Sequence, residues 1–357
     1  MKIAIDARMY AESGIGRYIR NLIFNLQGLD TKNQYFILHP KNDIKYQDNF
    51  HKITANFKWY GLTEQVKLPG LLKSLKPDLV HFPHFNVPIF YQGKFVVTIH
   101  DLIHQHFSMQ RSTTRGPLIY KLKQLGYRQV FENALKKSQR ILVPSDFVKM
   151  QLINNYQINK EKIIVTPEAV DDKLLKIKSA NKISFPYIFY VGNAHPHKNI
   201  EGLIKAYLKL KKKYKTLKLI LTGADHYFWQ RIKKEFPDEN ILYTGYVSDS
   251  ELVNFYKNAK CFVMPSLEEG FGIPILEAMS LSCPVVSSNA GSLPEVGGDA
   301  VIYFNPKDQF DMIQKISQVL DDEHLRQDLI QKGLQRVKAF SWKKLAEQTL
   351  EVYHQCV

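Results

Sequence analysis

Cysteine is scarce in this chain: the three present, Cys261, Cys283 and Cys356, are an odd number with no CxxC spacing. They sit in apolar or terminal contexts, so a disulfide framework is excluded and a reducing cytoplasm is the expected compartment. Long apolar runs are also lacking. Nothing approaches the roughly 18 to 20 residues that a helix needs to cross a bilayer. The opening MKIAIDARMY carries Asp6 and Arg8 where a signal peptide would be uniformly apolar. Internal repeats and low-complexity tracts are missing, which removes solenoid and linker readings. The patterns of helix-turn-helix, zinc-finger and RNP proteins are missing too, and nucleic acid is not an expected partner.

What is present is an ordinary globular composition, 45% hydrophobic and 23% charged, in 357 residues, which suits two packed domains better than one oversized core. Short runs rich in Ile, Val, Phe and Tyr alternate with segments of helical period from end to end. Strands are expected at 2–8, 35–40, 79–83, 95–101, 140–145 and 163–168, then at 187–193, 217–223, 241–247, 261–266, 284–289 and 300–304. Such alternation predicts an α/β protein of two Rossmann-like domains, each with its own parallel sheet. The polar, Lys-rich stretch 171–186, ending at Pro186, is the expected hinge, which gives domains of 1–175 and 176–340.

Charge is unevenly shared. Residues 1–180 hold 27 Lys and Arg against 14 Asp and Glu, and the remainder 22 against 20. The basic excess therefore lies in the first half and points to something anionic, first of all a membrane surface or a diphosphate-carrying lipid. The segment 111–140 combines apolar residues at helical spacing with basic ones between them. It reads equally as a membrane-contacting helix and as a normal crossover helix.

Ligands of open α/β sheets collect beyond the C-terminal ends of strands, and the unusual residues lie there. After the first strand, Gly14 and Gly16 of ESGIGRYIRNL predict a tight turn before a helix whose N-terminus attracts phosphate. A complete GxGxxG is absent, so a hydride-transfer enzyme is not expected. SLEEGFGIPILEAM at 266–279 is the richest stretch. Gly270 and Gly272 admit close approach of backbone amides, Pro274 suits a first helical turn, and Glu277 is expected within that turn. Glu269 and Glu277 then flank a glycine turn as acceptors for vicinal hydroxyls of a sugar or ribose. In HPHKN, Lys198 before a helix near Asn199 makes a second phosphate clamp, with His197 as a further donor. His100 closes a strand in FVVTIHD as a candidate hydrogen-bond donor to a sugar hydroxyl or carbonyl. Neither His195 with His197 nor His100 with His104 and His106 has the accompanying carboxylates of a metal site, and no metal is expected.

These stretches together resemble the family 4 retaining glycosyltransferases of GT-B fold: IDAR with SGIGRYIRNL, VTIHDL, VPSDFVK, YVGN with HPHKN, TGYVSDSEL, EEGFGIPILEAM, PVVSSNAGSLPEV and FSWKKLAEQ. The resemblance implies two parallel sheets facing across a cleft, an acceptor-binding first domain and a donor-binding second one. It also implies a C-terminal helix near 341–357 packing back on the first. His100 and Glu269 become the catalytic candidates, Glu269 on the donor sugar hydroxyls. Glu277 would hold the ribose and Lys198 the diphosphate, helped by amides of Phe271, Gly272 and Ile273 and by the loop at Gly14 and Gly16. Tyr246 and Val247 would frame the nucleobase. Asn193 stands where many relatives carry an arginine, with His197 as partial substitute, and Glu168 of PEAVD stands where many read PNGVD.

The implied donor is a nucleotide-diphosphate sugar, GDP-mannose first and a UDP-sugar second. The implied acceptor is a saccharide or lipid-linked saccharide of surface polysaccharide assembly. No cofactor is required, retention of configuration is expected, and domain closure about 171–186 would exclude water. A nucleotide-sugar epimerase and a non-catalytic nucleotide-sugar binding subunit are the alternative readings.

Overall fold

The computed structural model describes residues 1–12, 14–40, 45–103, 117–178, 183–224 and 227–357, with backbone alone over 117–123. His104, His106, the basic residues at 111 and 115, and part of the expected hinge lie outside the described residues. Two compact units emerge: Met1–Leu102 with the described part of Met109–Glu168 and Ser341–Val357, and a second built on Ala169–Phe340. The chain thus passes into its second unit a few residues ahead of the expected 175/176 boundary, directly after Glu168.

The first unit holds a seven-stranded parallel sheet. Its strands are β1 (Lys2–Asp6), β2 (Gln34–His39), β3 (Phe50–Thr54), β4 (Leu79–Phe82), β5 (Phe95–Thr98), β6 (Arg140–Val143) and β7 (Ile163–Val165), in spatial order β3-β2-β1-β4-β5-β6-β7. Strands β4 and β5 are buried at every position, as parallel strands covered on both faces must be. Strand β3 was not expected from the sequence. It is the sheet edge, its FHKIT is buried only at Phe50, and an edge strand carries no core pattern on either face.

The second unit repeats the design with six strands: β8 (Tyr187–Val191), β9 (Lys218–Thr222), β10 (Ile241–Gly245), β11 (Cys261–Met264), β12 (Val285–Ser288) and β13 (Val301–Phe304), in order β10-β9-β8-β11-β12-β13. Its strands feed two cores by the period of two. Ile188 and Tyr190 pack with Leu203, Ile204 and Tyr207 of helix Ile200–Lys213, whereas Tyr187 and Phe189 pack with Tyr256, Ile275 and Leu276. Helix starts are capped where the sequence offers an acceptor. Ser145 accepts from Val148 N at 3.2 Å, and Ser248 and Glu251 form a reciprocal capping box.

Helix Trp342–Cys356 belongs to the first unit, begins on Ser341 as cap, and buries Trp342, Leu345, Ala346, Thr349, Val352 and Tyr353. The three cysteines are buried and free. Burial pushes the Cys261 thiol up to about 12, so it is not a reactive thiolate. Among the described residues no helix is long and apolar enough to cross a membrane.

Candidate functional site

Strand order reverses between β8 and β11, which are neighbours in the second sheet. At such a switch point the loops leaving the two strands diverge and open a crevice at their carboxyl ends. The loop after β8 passes Gly192, at φ +151, and a short turn Pro196–Lys198 before Asn199 opens helix Ile200–Lys213. The loop after β11 runs beside it. Leu267 N donates to His197 O at 2.7 Å, and Asn199 Nδ2 donates to Pro265 O at 3.1 Å.

These main-chain ties bring the side chains of Lys198 and Glu269 together. Lys198 Nζ donates to both Glu269 carboxylate oxygens, at 2.6 and 2.9 Å, and Ser266 Oγ donates to Oε1 at 2.5 Å. Glu269 is only 6% exposed, so its charge is held by these donors in place of bulk water.

The turn that carries Glu269 is shaped from outside the EEGFG stretch. Gly291 has φ +64, and a Cβ there would lie 2.7 Å from both N and O of Glu269. Only glycine fits that contact. Ser292 N donates to Glu269 O at 3.2 Å, while its buried Oγ lies 3.0 Å from Glu269 O and 2.8 Å from Phe271 O. Gly272, at φ +105, caps helix Ile273–Ser280, and Pro274 sits in its first turn. Gly270 is buried in the turn, Ile273 is half-buried, and the Phe271 side chain belongs to the core, edge-on to Phe340 at 5.8 Å.

Glu277 is the fifth residue of that helix, just past the first turn in which it was expected, and there is no acidic residue in the first turn. The reason is that the helix starts at Ile273, immediately after the left-handed Gly272. Glu277 is buried and held by Tyr256, whose hydroxyl donates to Oε2 at 2.9 Å from helix Asp249–Asn258. His197 is buried with its ring parallel to that of His195 at 5.9 Å. Asn193 is exposed, and its Oδ1 accepts from His195 N at 3.2 Å. Tyr246 is 82% exposed just past Gly245, and Val247 packs against the core.

In the first unit the expected glycine turn takes another form. Gly14 and Gly16 lie inside helix Gly14–Leu29, and neither has a left-handed φ. A Cβ at Gly16 would meet the carbonyl oxygens of Tyr10 and Met9 at 2.5 and 2.9 Å, so the chain itself makes the close approach there. Gly14 is exposed with open space around it.

His100 lies just past β5 with both ring nitrogens engaged. Nε2 is 2.9 Å from Pro83 O, and Nδ1 is 3.0 Å from Glu168 Oε1. Burial opposes a charge on this ring, but the hydrogen bond and charge of Glu168, the Pro83 carbonyl and Asp101 outweigh it and raise the pKa. The hydrogen bond expected from His100 to a sugar hydroxyl therefore meets a ring whose nitrogens already have protein partners. Beneath it, His81 is fully buried between Tyr353 OH, at 2.6 Å from Nδ1, and Thr98 Oγ1, at 2.8 Å from Nε2. Burial and the neighbouring His100 press His81 down to about 3.

Arg8, at the end of the IDAR stretch, donates to Asp6 through Nε and Nη2, at 2.8 and 2.6 Å, and to Glu64 at 2.5 Å. Burial works against its charge, and Asp6 and Glu64 raise its pKa.

Sequence reasoning missed Ser266, Tyr256, Gly291 and Ser292 as supports, and the pairing of Glu168 with His100. For Gly291 and Ser292 a signal existed, because both fall in PVVSSNAGSLPEV. The partners of Glu277 and His100 come from elements 21 and 68 residues distant, which local spacing does not reveal. Among the described residues no group of three or more His, Cys, Asp and Glu is arranged to hold a metal ion.

Comparison with known proteins gives two sequence families in succession: Glycosyltransferase Family 4 over residues 13–174 and Glycosyl transferases group 1 over residues 171–336. The chain is 30% identical to the O-antigen chain mannosyltransferase B of Escherichia coli, over 99% of both chains. In structure it is similar to a sucrose-phosphate synthase from Thermosynechococcus elongatus, with a TM-score of 0.78 at 19% identity over 99% of this chain and 98% of that one. It is likewise similar to Anabaena HepE in complex with UDP-glucose, with a TM-score of 0.76 at 15% identity over 99% and 100%.

Proposed function

We propose, from the premise that this chain is a glycosyltransferase belonging to family 4, that it moves a mannosyl group from GDP-mannose to a saccharide acceptor in bacterial surface polysaccharide assembly. The observation that carries this reading is the pairing of Lys198 with Glu269 at the switch point of the second sheet, beside a helix N-terminus. The choice of mannose is supported by the full-length likeness to an O-antigen chain mannosyltransferase.

The chemistry follows from what must be stabilised. As the bond from sugar to diphosphate loosens, negative charge grows on the leaving phosphate and the sugar takes on oxocarbenium character. The Lys198 ammonium answers the first change, together with the amides of Gly272 and Ile273 where helix Ile273–Ser280 begins. An arriving diphosphate competes with Glu269 for Lys198, and the carboxylate so released turns to the sugar hydroxyls. Glu277, oriented by Tyr256, accepts from the ribose hydroxyls. Because a fixed cation and helix amides carry the leaving group, the reaction requires no metal. It proceeds with retention, as the family implies. The basic first half suits a lipid-linked acceptor at an anionic membrane face.

A thermal-shift series with GDP, UDP, ADP and their sugars, with and without EDTA, tests the reading by mass action. Stabilisation by GDP or GDP-mannose that survives EDTA is expected. Preference for UDP would keep the transferase and replace the donor, and no response to any nucleotide would overturn the proposal.

A further inference from the structure

The surroundings of His100 leave little freedom in its protonation. Pro83 O can only accept, so Nε2 carries a hydrogen. The atom 3.0 Å from Nδ1 is a carboxylate oxygen of Glu168, which in its ionised form also only accepts. A neutral imidazole has one N–H and would leave Nδ1 and Glu168 facing each other lone pair to lone pair. With Glu168 ionised, the ring satisfies both neighbours only as an imidazolium.

The described groups packed around the ring agree. The side chains of His100 and Glu168 are 15% and 9% exposed, which limits competition by water. Tyr18 presents its ring edge-on at 4.9 Å. Asp101 adds negative charge beside the ring, and His81, a second histidine near it, is kept neutral by burial and by His100 itself. Tyr18 and His81 are in turn pinned through Thr98, whose Oγ1 is 3.0 Å from Tyr18 OH and 2.8 Å from His81 Nε2.

We propose that Glu168 is a positioning residue for the transfer reaction, which fixes the ring of His100 and holds it doubly protonated, so that His100 serves as a standing positive charge and not as a proton-accepting base. The inference rests on the reading of His100 as a residue of the transferase reaction. It assigns to the glutamate of PEAVD a task that His100 cannot perform alone. With both N–H groups committed to Pro83 and Glu168, what His100 offers a substrate is its charge.

The test is nitrogen-15 NMR of histidine-labelled full-length protein, wild type and Glu168→Gln, over a pH series, with kcat and KM measured on the same samples. Wild-type His100 is expected to show two protonated nitrogens at pH values above the ordinary histidine midpoint. In Glu168→Gln its midpoint falls by about one unit or more, since an opposite charge at this range shifts a pKa by about 1–3 units. The kcat of Glu168→Gln then declines with pH from near the ordinary histidine value of about 6.5, about thirtyfold by pH 8, with KM for the donor little changed. Glu168→Asp, which keeps the charge, restores the alkaline limb.

A wild-type ring with one bare nitrogen at neutral pH, or an unmoved midpoint in Glu168→Gln, overturns the inference. So does a glutamine variant whose pH profile matches that of wild type. If Glu168→Gln does not fold, the wild-type spectrum and the aspartate variant decide. A doubly protonated His100 in a protein that transfers no sugar from any donor would leave the pair standing and remove the transferase reading on which its purpose rests.

Discussion

The two units solve the same problem in different ways. In the second, a charged pair from loops after adjacent strands is held by backbone: Gly291 against Glu269, Ser292 on the carbonyls of Glu269 and Phe271, Leu267 N on His197 O. In the first, His100 is held by the Pro83 carbonyl and chiefly by side chains: Glu168 at the chain's exit and Tyr18 on the first helix, with Thr98 tying Tyr18 to His81, which reaches Tyr353 on the C-terminal helix. Backbone support leaves a trace of glycines and prolines in the sequence. Side-chain support leaves almost none, since buried Tyr, Thr and His look like any others.

The comparison breaks most visibly at its charged centre. Lys198→Ala should lower kcat/KM by about 10²–10³-fold, the usual scale for removing one preorganised group from developing charge. Steady-state kinetics with GDP-mannose reads this, and a loss confined to KM would show that Lys198 acts equally on ground and transition states. Next comes the backbone. Gly291→Ala places a Cβ against Glu269 in a left-handed conformation and should cost about 1–3 kcal/mol in urea unfolding, with activity falling alongside because Glu269 is displaced. Loss of stability with full activity would separate the turn from the site.

In the first unit, Tyr353→Phe strands a buried nitrogen of His81 and should cost about 1–3 kcal/mol, with a smaller effect on kcat than Gly291→Ala. His81 also sets a pH dependence opposite to that of His100. Its folded value, about 3, is below the ordinary 6.5, so its contribution is complete above 6.5 and is lost as pH falls toward 3. The pKa of His100 is raised, so its contribution is complete below 6.5 and is lost as pH rises through the folded value. Melting temperatures should therefore decline on the acid side, less steeply in His81→Asn, and decline on the alkaline side less steeply in Glu168→Gln. The smallest effect is Tyr256→Phe, which removes one hydrogen bond to Glu277 worth about 0.5–1.5 kcal/mol and should raise KM for the donor about two- to tenfold.

Much of this was legible in the chain. Strand and helix alternation revealed twelve of the thirteen strands among the described residues, and the edge strand β3 escaped because half-exposed FHKIT carries no core pattern. The glycine-rich turn and Lys198 stood out because glycines and a lysine just past the ends of buried strands are residue types that core packing does not demand. Glu277 was read into the first turn and lies just past it, since helix start depended on the left-handed Gly272, a conformation that sequence permits without requiring. Gly16 was read as part of a tight turn and lies inside the first helix, where a Cβ would meet the carbonyls of Tyr10 and Met9.

By itself the sequence determined the α/β class, the parallel sheets and the identity of the charged groups, because periodicity and residue chemistry are local properties of the chain. Only the tertiary structure decided which of those groups meet. Lys198 reaches Glu269 across 71 residues, His100 reaches Glu168 across 68, and His81 reaches Tyr353 across 272. Folding also moves the two histidines apart in protonation, raising the pKa of His100 through Glu168 and lowering that of His81 through burial, because a ring's charge is set by the burial and partners that folding brings to it.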